Sequence, residues 1–277
     1  MLLRVFFCLL AAIPATSSGA EPAIVSEGPA ALSGAREYVL SSRHAGRDFL
    51  IQVASPVRPL APGEKAAVIY VLDGDYMFGM ATDIARSLQI VREITPVYVV
   101  SIGYPGDSHA EWVTGRLHDM LRETVDVRGQ AVGGGGTAFR RFIIDELRPF
   151  VEARYQIDPD RSYLAGHSLG GLFAAEVILD EPGAFAGYAI GSPSLWIRPQ
   201  LVEQLQRNIE SPARPRVFIG AGSEELEEDM VGWAERLAQT LAARGFAVSH
   251  RNFAHEGHVS VAGSLFANAL KFLMPSS

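Results

Sequence analysis

Ser168 stands between glycines in Gly166-His167-Ser168-Leu169-Gly170, inside the stretch YLAGHSLGGLFAAEVIL (Tyr163 to Leu179). The residues before it read as a buried strand, and those after it as an apolar helix. In that context G-x-S-x-G is a strand-to-helix turn that presents a serine hydroxyl at the carboxyl edge of a sheet. The turn is tight, so minimal residues must flank the serine, and the serine's own backbone is strained. Leu169 opens the helix, and its N–H is one of the orphan donors at a helix start. Such a donor can face a developing oxyanion. A glycine-rich turn with a serine N-cap would use the same residues without chemistry, so the serine's partners decide between the two.

A serine hydroxyl attacks only when a base takes its proton. On a turn of this kind the chain order is serine, acid, histidine. The late stretch AVSHRNFAHEGHVSV offers His250, His255 and His258. His250 falls within a strand pattern. His258 lies in the loop before the last helix and is the favoured base, with His255 as the alternative. These histidines lack the i, i+4 spacing of a helical zinc site, and no metal is expected. The acid should follow the strand RVFIGAG, where the chain reads GSEELEED. Glu225, three residues past Gly222, is favoured and Glu224 is next. Glu227, Glu228 and Asp229 compete, because negative charge also suits a helix start. The second oxyanion donor is expected to be the Asp75 N–H in DGDYMF, where Gly74 lets the backbone approach a substrate.

Elements must bring these residues together. REYVLSS and DFLIQVASP read as strands joined by a turn. AAVIYVLD and VYVVSIGY are continuous apolar runs, expected for strands buried on both faces. From residue 138 onward helical and strand patterns alternate to the C-terminus, which implies a largely parallel sheet covered by helices on both faces, with an antiparallel hairpin at one edge. Pro105 to Thr137 breaks the pattern with charges, single aromatics and four successive glycines. It reads as a long excursion of the functional kind. No second core and no linker is evident, so residues 34–277 are expected to form one domain.

The chain has 277 residues, and its first 20 combine Arg4, a short apolar run and small residues at Ser18 and Ala20. That is the pattern of a secretory signal peptide. The run is well short of the ~20 apolar residues of a spanning helix. Residues 21–33 read as a flexible arm. Cys8 is the one cysteine, and it lies in the leader, so the mature chain offers no disulfide, cysteine nucleophile or thiolate metal site. Loss of Arg4 moves the formal charge from -7 to -8. An acidic chain with no basic run is a poor nucleic-acid binder. An exported, disulfide-free protein of this size suits a bacterial periplasm.

Together, VLDGDYMF, GGGGTAFRRFIIDELRPFVEARYQIDPDRSYLAGHSLGG, SPSLW and EGHVSV resemble the "putative esterase" branch of the α/β-hydrolases. The likeness covers nearly the whole mature chain and is nearest to periplasmic enterobactin-type siderophore trilactone esterases. It implies the α/β-hydrolase fold and a serine esterase that opens ester bonds of a catecholate siderophore, ferric or iron-free. It implies no cofactor of the protein's own, since iron belongs to the substrate. Arg116 and Asp119 sit where such esterases carry an arginine-aspartate pair, although MLRETVDV follows here rather than threonine-proline. Ser192, Ser194 and Trp196 fall at the sheet's carboxyl edge, where α/β sheets bind ligands. Trp196 is expected as an aromatic wall, with Arg198 or Arg116 as charge partners for catecholate oxygens. Feruloyl, carbohydrate or short-acyl esters, acyl transfer to a sugar, and non-catalytic siderophore binding are the rival expectations.

Overall fold

A computed structural model describes residues 32–106, 108–208, 212–225 and 227–276. The expected leader, and all but the end of the expected arm, lie outside the described residues. Ser33–Ser277 forms one compact unit. β1 (Ala35–Ser41) and β2 (Asp48–Ala54) form the antiparallel edge hairpin. β2 then pairs antiparallel with β4 (Val97–Gly103). From β4 the sheet is parallel through β3 (Ala66–Leu72), β7 (Ile157–His167), β8 (Gly187–Gly191), β9 (Arg216–Gly222) and β10 (Ala247–Phe253), in the order β1-β2-β4-β3-β7-β8-β9-β10. This is the α/β-hydrolase fold that the motifs imply.

Alternation along the central strands divides the buried residues between two faces. Val68, Tyr70 and Leu72 of β3 join one core with Leu164, Tyr188, Ile190, Val217 and Ile219. That core is covered by α5 (Leu169–Asp180), α6 (Gln200–Asn208) and α7 (Met230–Ala243). Ala67, Ile69 and Val71 point the other way and are equally buried. There α1 (Gly74–Ile90) and α8 (Val261–Leu273) pack on each other and on the sheet. Every residue of β3 and β4 is buried, which is why both read as unbroken apolar runs.

The excursion after β4 is more regular than its composition suggests. α2 (His109–Asp119) is capped by Ser108, whose Oγ accepts from Glu111 N–H at 3.3 Å. β5 (Thr124–Val127) and β6 (Gln130–Gly133) form a separate hairpin. Its two-residue turn, Arg128-Gly129, has φ of 53° and 83°. Positive φ at both positions is the turn geometry that hairpins favour. α3 (Gly136–Arg141) then runs through a π-helical turn, Phe142–Leu147, into α4 (Arg148–Glu152). Successive carboxyl ends of β3, β7, β8 and β9, together with the loop after β10, deliver Asp73, Ser168, Ser192, Glu225 and His258 to one edge of the sheet.

Candidate active site

Ser168 separates β7 from α5 with φ 59° and ψ -117°, a region that residues with a Cβ rarely occupy. Its backbone is pinned on both sides. Ser168 N–H donates to Gly191 O at 2.8 Å, and Ser168 O accepts from Ser194 N–H at 3.1 Å. Gly166 is required by contact, since a Cβ there would lie 2.1 Å from Gly170 O. The first turn of α5 thus closes directly over β7, leaving the Leu169 N–H at the free helix start.

Ser168 Oγ lies 2.9 Å from His258 Nε2. On the far side of that ring, Nδ1 lies 2.6 Å from Glu225 Oε2. Glu225 is buried, and its other oxygen accepts from Ser192 Oγ and from Gly222 N–H, each at 2.6 Å. Burial alone would raise the carboxyl's pKa. The hydrogen bonds from His258, Ser192 and Gly222 outweigh it and hold the group below the ordinary carboxylate range. The carboxylate therefore stays charged and fixes the Nδ1 side of His258, leaving Nε2 to face the serine. The competing residues are elsewhere. His255 is exposed, with Nδ1 3.8 Å from Glu224, and His250 lies in β10.

His167, beside Ser168, has its ring centroid 4.7 Å from that of His258. Burial first, and then the neighbouring His258, lower its pKa to about 4. It stands as a neutral ring against that of His258, whose Nε2 faces Ser168 Oγ.

Two cavities meet at Ser168 and His258. The larger, about 520 Å³, is lined by Ser194, Trp196, Glu224, Glu228 and Met230. The smaller, about 310 Å³, is lined by Tyr76, Met77, Trp112, Arg116 and Val259 over a floor of Asp73 and His167. An ester has an acyl side and an alcohol side, and a nucleophile between two pockets can hold both.

The family model described as "Putative esterase" matches residues 42–264. The chain belongs to this family. Among its curated relatives, this esterase is 32% identical over 263 residues to the ferri-bacillibactin esterase BesA of Bacillus subtilis, covering 88% of this chain and 90% of that one. It is 32% identical over 233 residues to the siderophore triacetylfusarinine C esterase of Aspergillus fumigatus, covering 78% and 76%. Among solved structures, the BES protein of Bacillus cereus superposes with a TM-score of 0.80 at 26% identity, covering 91% of this chain and 99% of that one.

Within this esterase the expected site residues divide. Ser168, His258, Glu225, Ser194 and Trp196 line one cavity, and Ser194 Oγ comes within 3.3 Å of Ser168 Oγ. Arg116 lines the other, but its guanidinium is engaged. Nε and Nη2 grip the two Asp73 oxygens at 2.7 and 2.9 Å, and the group lies 4.9 Å over the Trp112 ring. Asp119 does not pair with Arg116; it is buried and bonded to Arg47 and His118. Arg198 does not reach either cavity. It is buried against Glu176 beneath α5, with Nη1 2.5 Å from Oε1, so it serves packing rather than a ligand.

Asp75, whose N–H is the expected second oxyanion donor, lies in the first turn of α1. It lines a neighbouring hollow with Tyr76 and His109. Its carboxylate accepts from Tyr104 N–H at 3.3 Å.

Sequence reading missed Asp73, Tyr76, His109 and Trp112. Tyr76 Oη lies 2.6 Å from His109 Nδ1, and the Tyr76 and Trp112 rings are 4.5 Å apart. His109, Trp112 and Arg116 follow helical spacing along α2, which was the signal available. Among the described residues, no group of three or more His, Cys, Asp or Glu side chains is gathered to hold a metal. No described helix is long and apolar enough to cross a membrane.

Proposed function

We propose that this esterase hydrolyses ester bonds of a siderophore, with Ser168 as nucleophile, His258 as base and Glu225 as the anchor of the imidazole. One observation carries the reading: Ser168 Oγ, His258 and Glu225 are linked at 2.9 and 2.6 Å beside two cavities. The relatives' names support the substrate class, and the motif likeness points to a catecholate trilactone.

His258 Nε2 takes the Ser168 proton as Oγ attacks the ester carbonyl. The Leu169 N–H meets the negative charge on the carbonyl oxygen. His258 then passes the proton to the leaving alcohol, which departs and leaves an acyl-enzyme. A water, deprotonated by the same nitrogen, releases the acid and restores Ser168. Glu225 remains a carboxylate throughout and stabilises the imidazolium. The signal-peptide pattern of the first 20 residues supports export of this chemistry, to the periplasm or to the medium.

Chromatography of products from enterobactin, with Ser168→Ala as the blank, tests this function. Linear fragments of dihydroxybenzoylserine, absent from the blank, are the expected result. An intact trilactone beside rapid cleavage of a nitrophenyl ester would keep the serine hydrolase and remove the siderophore. Loss of Ser168 should leave about 10³-fold catalysis over water.

A further inference from the structure

The guanidinium groups nearest the two cavities are matched by carboxylates of the protein itself. Arg116 is held by both oxygens of Asp73. Arg198 is buried against Glu176, with Glu123 at 3.5 Å. Arg128, at the tip of the β5–β6 hairpin, reaches Glu228 on the rim of the larger cavity at 2.7 Å. Carboxylates then remain in excess. Of the four carboxylates that line the two cavities, Asp73 is matched by Arg116 and Glu228 by Arg128, whereas Glu224 and Glu225 have only the histidines His255 and His258 as basic partners among the described residues. Glu224 is largely exposed at this mouth, so its charge acts on an arriving ligand. The chain as a whole carries a formal -7.

We propose that this site selects esters in an electrically neutral form and rejects multiply anionic forms of the same ligand, a proposal that rests on the siderophore-esterase reading. For a ligand with three catechols the distinction falls on iron. Each catechol gives up two protons to bind ferric ion, so the ferric complex carries three negative charges. The iron-free ligand keeps those protons and enters neutral. A ferric tris-hydroxamate, with one proton lost per group, is also neutral and is accepted on the same ground. Charge, rather than iron, is the selector.

One pair of like unit charges at about 4 Å changes an affinity roughly fivefold even in bulk water. A trianion meeting an acidic mouth should therefore bind at least about tenfold more weakly than its neutral form. Salt shortens the range of this repulsion to about 3 Å at 1 M, whereas a steric barrier would not respond.

Equilibrium dialysis with Ser168→Ala protein separates the possibilities. The probes are iron-free enterobactin, ferric enterobactin and a ferric tris-hydroxamate ester, each at low and high salt, repeated with Glu224→Lys added. Both neutral probes should bind at least about tenfold tighter than ferric enterobactin at low salt. The gap should narrow severalfold at high salt and in Glu224→Lys. Equal or tighter binding of ferric enterobactin overturns the proposal, as does a gap indifferent to both salt and the lysine. Turnover of the neutral probes by the unsubstituted protein tests the enzyme separately. Intact probes with the charge ordering preserved would sink the esterase reading and leave the selectivity standing.

Discussion

His167 and His258 lie with ring centroids 4.7 Å apart and planes tilted by 49°, and the two rings have opposite duties. In the proposed mechanism His258 gains a proton in each turnover, whereas His167 is kept neutral, with a pKa of about 4 set mainly by burial. Its Nε2 is buried without a hydrogen-bond partner among the described residues. The unfolded chain binds a proton at His167 near pH 6.5, well before the folded chain does. Stability is thus complete above that pH and falls as pH drops from about 6.5 towards 4, by roughly 3 kcal/mol from this group. In urea titrations across that range, His167→Gln should flatten the loss. Parallel curves for both proteins would rule out His167 as the source.

Ser192 acts on the chemistry through Glu225. Its Oγ–H donates to Oε1 at 2.6 Å, opposite the oxygen that faces His258. A hydrogen bond to a charged group contributes about 1.5–3 kcal/mol. Ser192→Ala should lower kcat by about 10- to 100-fold and change KM little. One of the bonds that hold the Glu225 carboxyl below its ordinary range is then gone, so its pKa rises. The acid limb of the pH–rate profile should move to higher pH. An unmoved limb would make Ser192 a packing residue only.

Residues legible in the sequence share a property. Ser168 and Glu225 each follow a strand that reads as an apolar run, and chain order narrows the base to His258 or His255 and the acid to Glu225 or a neighbour; the contacts of Ser168 with His258 and of His258 with Glu225 supply the rest. Arg198 was expected at the ligand and the Asp73 partner of Arg116 went unseen, because a guanidinium reads the same whether it faces solvent, ligand or a carboxylate. Asp73 lies 43 positions before Arg116, and only the packing of α2 against the end of β3 joins them. The β5–β6 hairpin escaped notice because its turn is Arg128-Gly129 instead of the usual Asn-Gly or Asp-Gly. Asp75 was read as a loop residue, but α1 already begins at Gly74. The bond between its carboxylate and Tyr104 N–H, just past β4, is a long-range contact that no local pattern reports.

Arg116 is more important for folding than for binding. Asp73 is buried, and Arg116 supplies both of its close cationic contacts. Removing one partner of a buried pair leaves an uncompensated charge and costs about 3–5 kcal/mol. Arg116→Met should lose stability on that scale in denaturant titrations. Asp73→Asn added to it should recover much of the loss, because neither charge then remains. A single variant as stable as the parent would return Arg116 to the list of free substrate contacts.

Trp112 is the better candidate for a ligand contact. It lines the smaller cavity, 4.5 Å from the Tyr76 ring, and its Nε1 is buried without a partner among the described residues. A planar aryl group held on its face gains about 0.5–1.5 kcal/mol beyond burial. Trp112→Ala should raise KM for an aryl ester several-fold more than for an alkyl ester of the same alcohol, with kcat less affected. Trp112→Phe should recover the aryl preference. Equal changes for both esters would remove the aromatic slot.

Ser168 combines an unfavourable backbone with the reactive hydroxyl. Its φ of 59° and ψ of -117° cost about 1–3 kcal/mol for a residue with a Cβ. Glycine carries no such penalty there, although it adds freedom to the unfolded chain, which offsets up to about 1 kcal/mol. Ser168→Gly should therefore be at least as stable as the parent, and more stable by up to about 2 kcal/mol, while losing turnover. Ser168→Ala keeps the Cβ and loses the hydroxyl, so it should be inactive without the gain. A calorimetric melting temperature ordered glycine above alanine would locate the strain at the serine backbone. The reverse order would mean that the hydrogen bonds to Gly191 O and from Ser194 N–H hold the turn without strain, and that its geometry follows from the sheet alone.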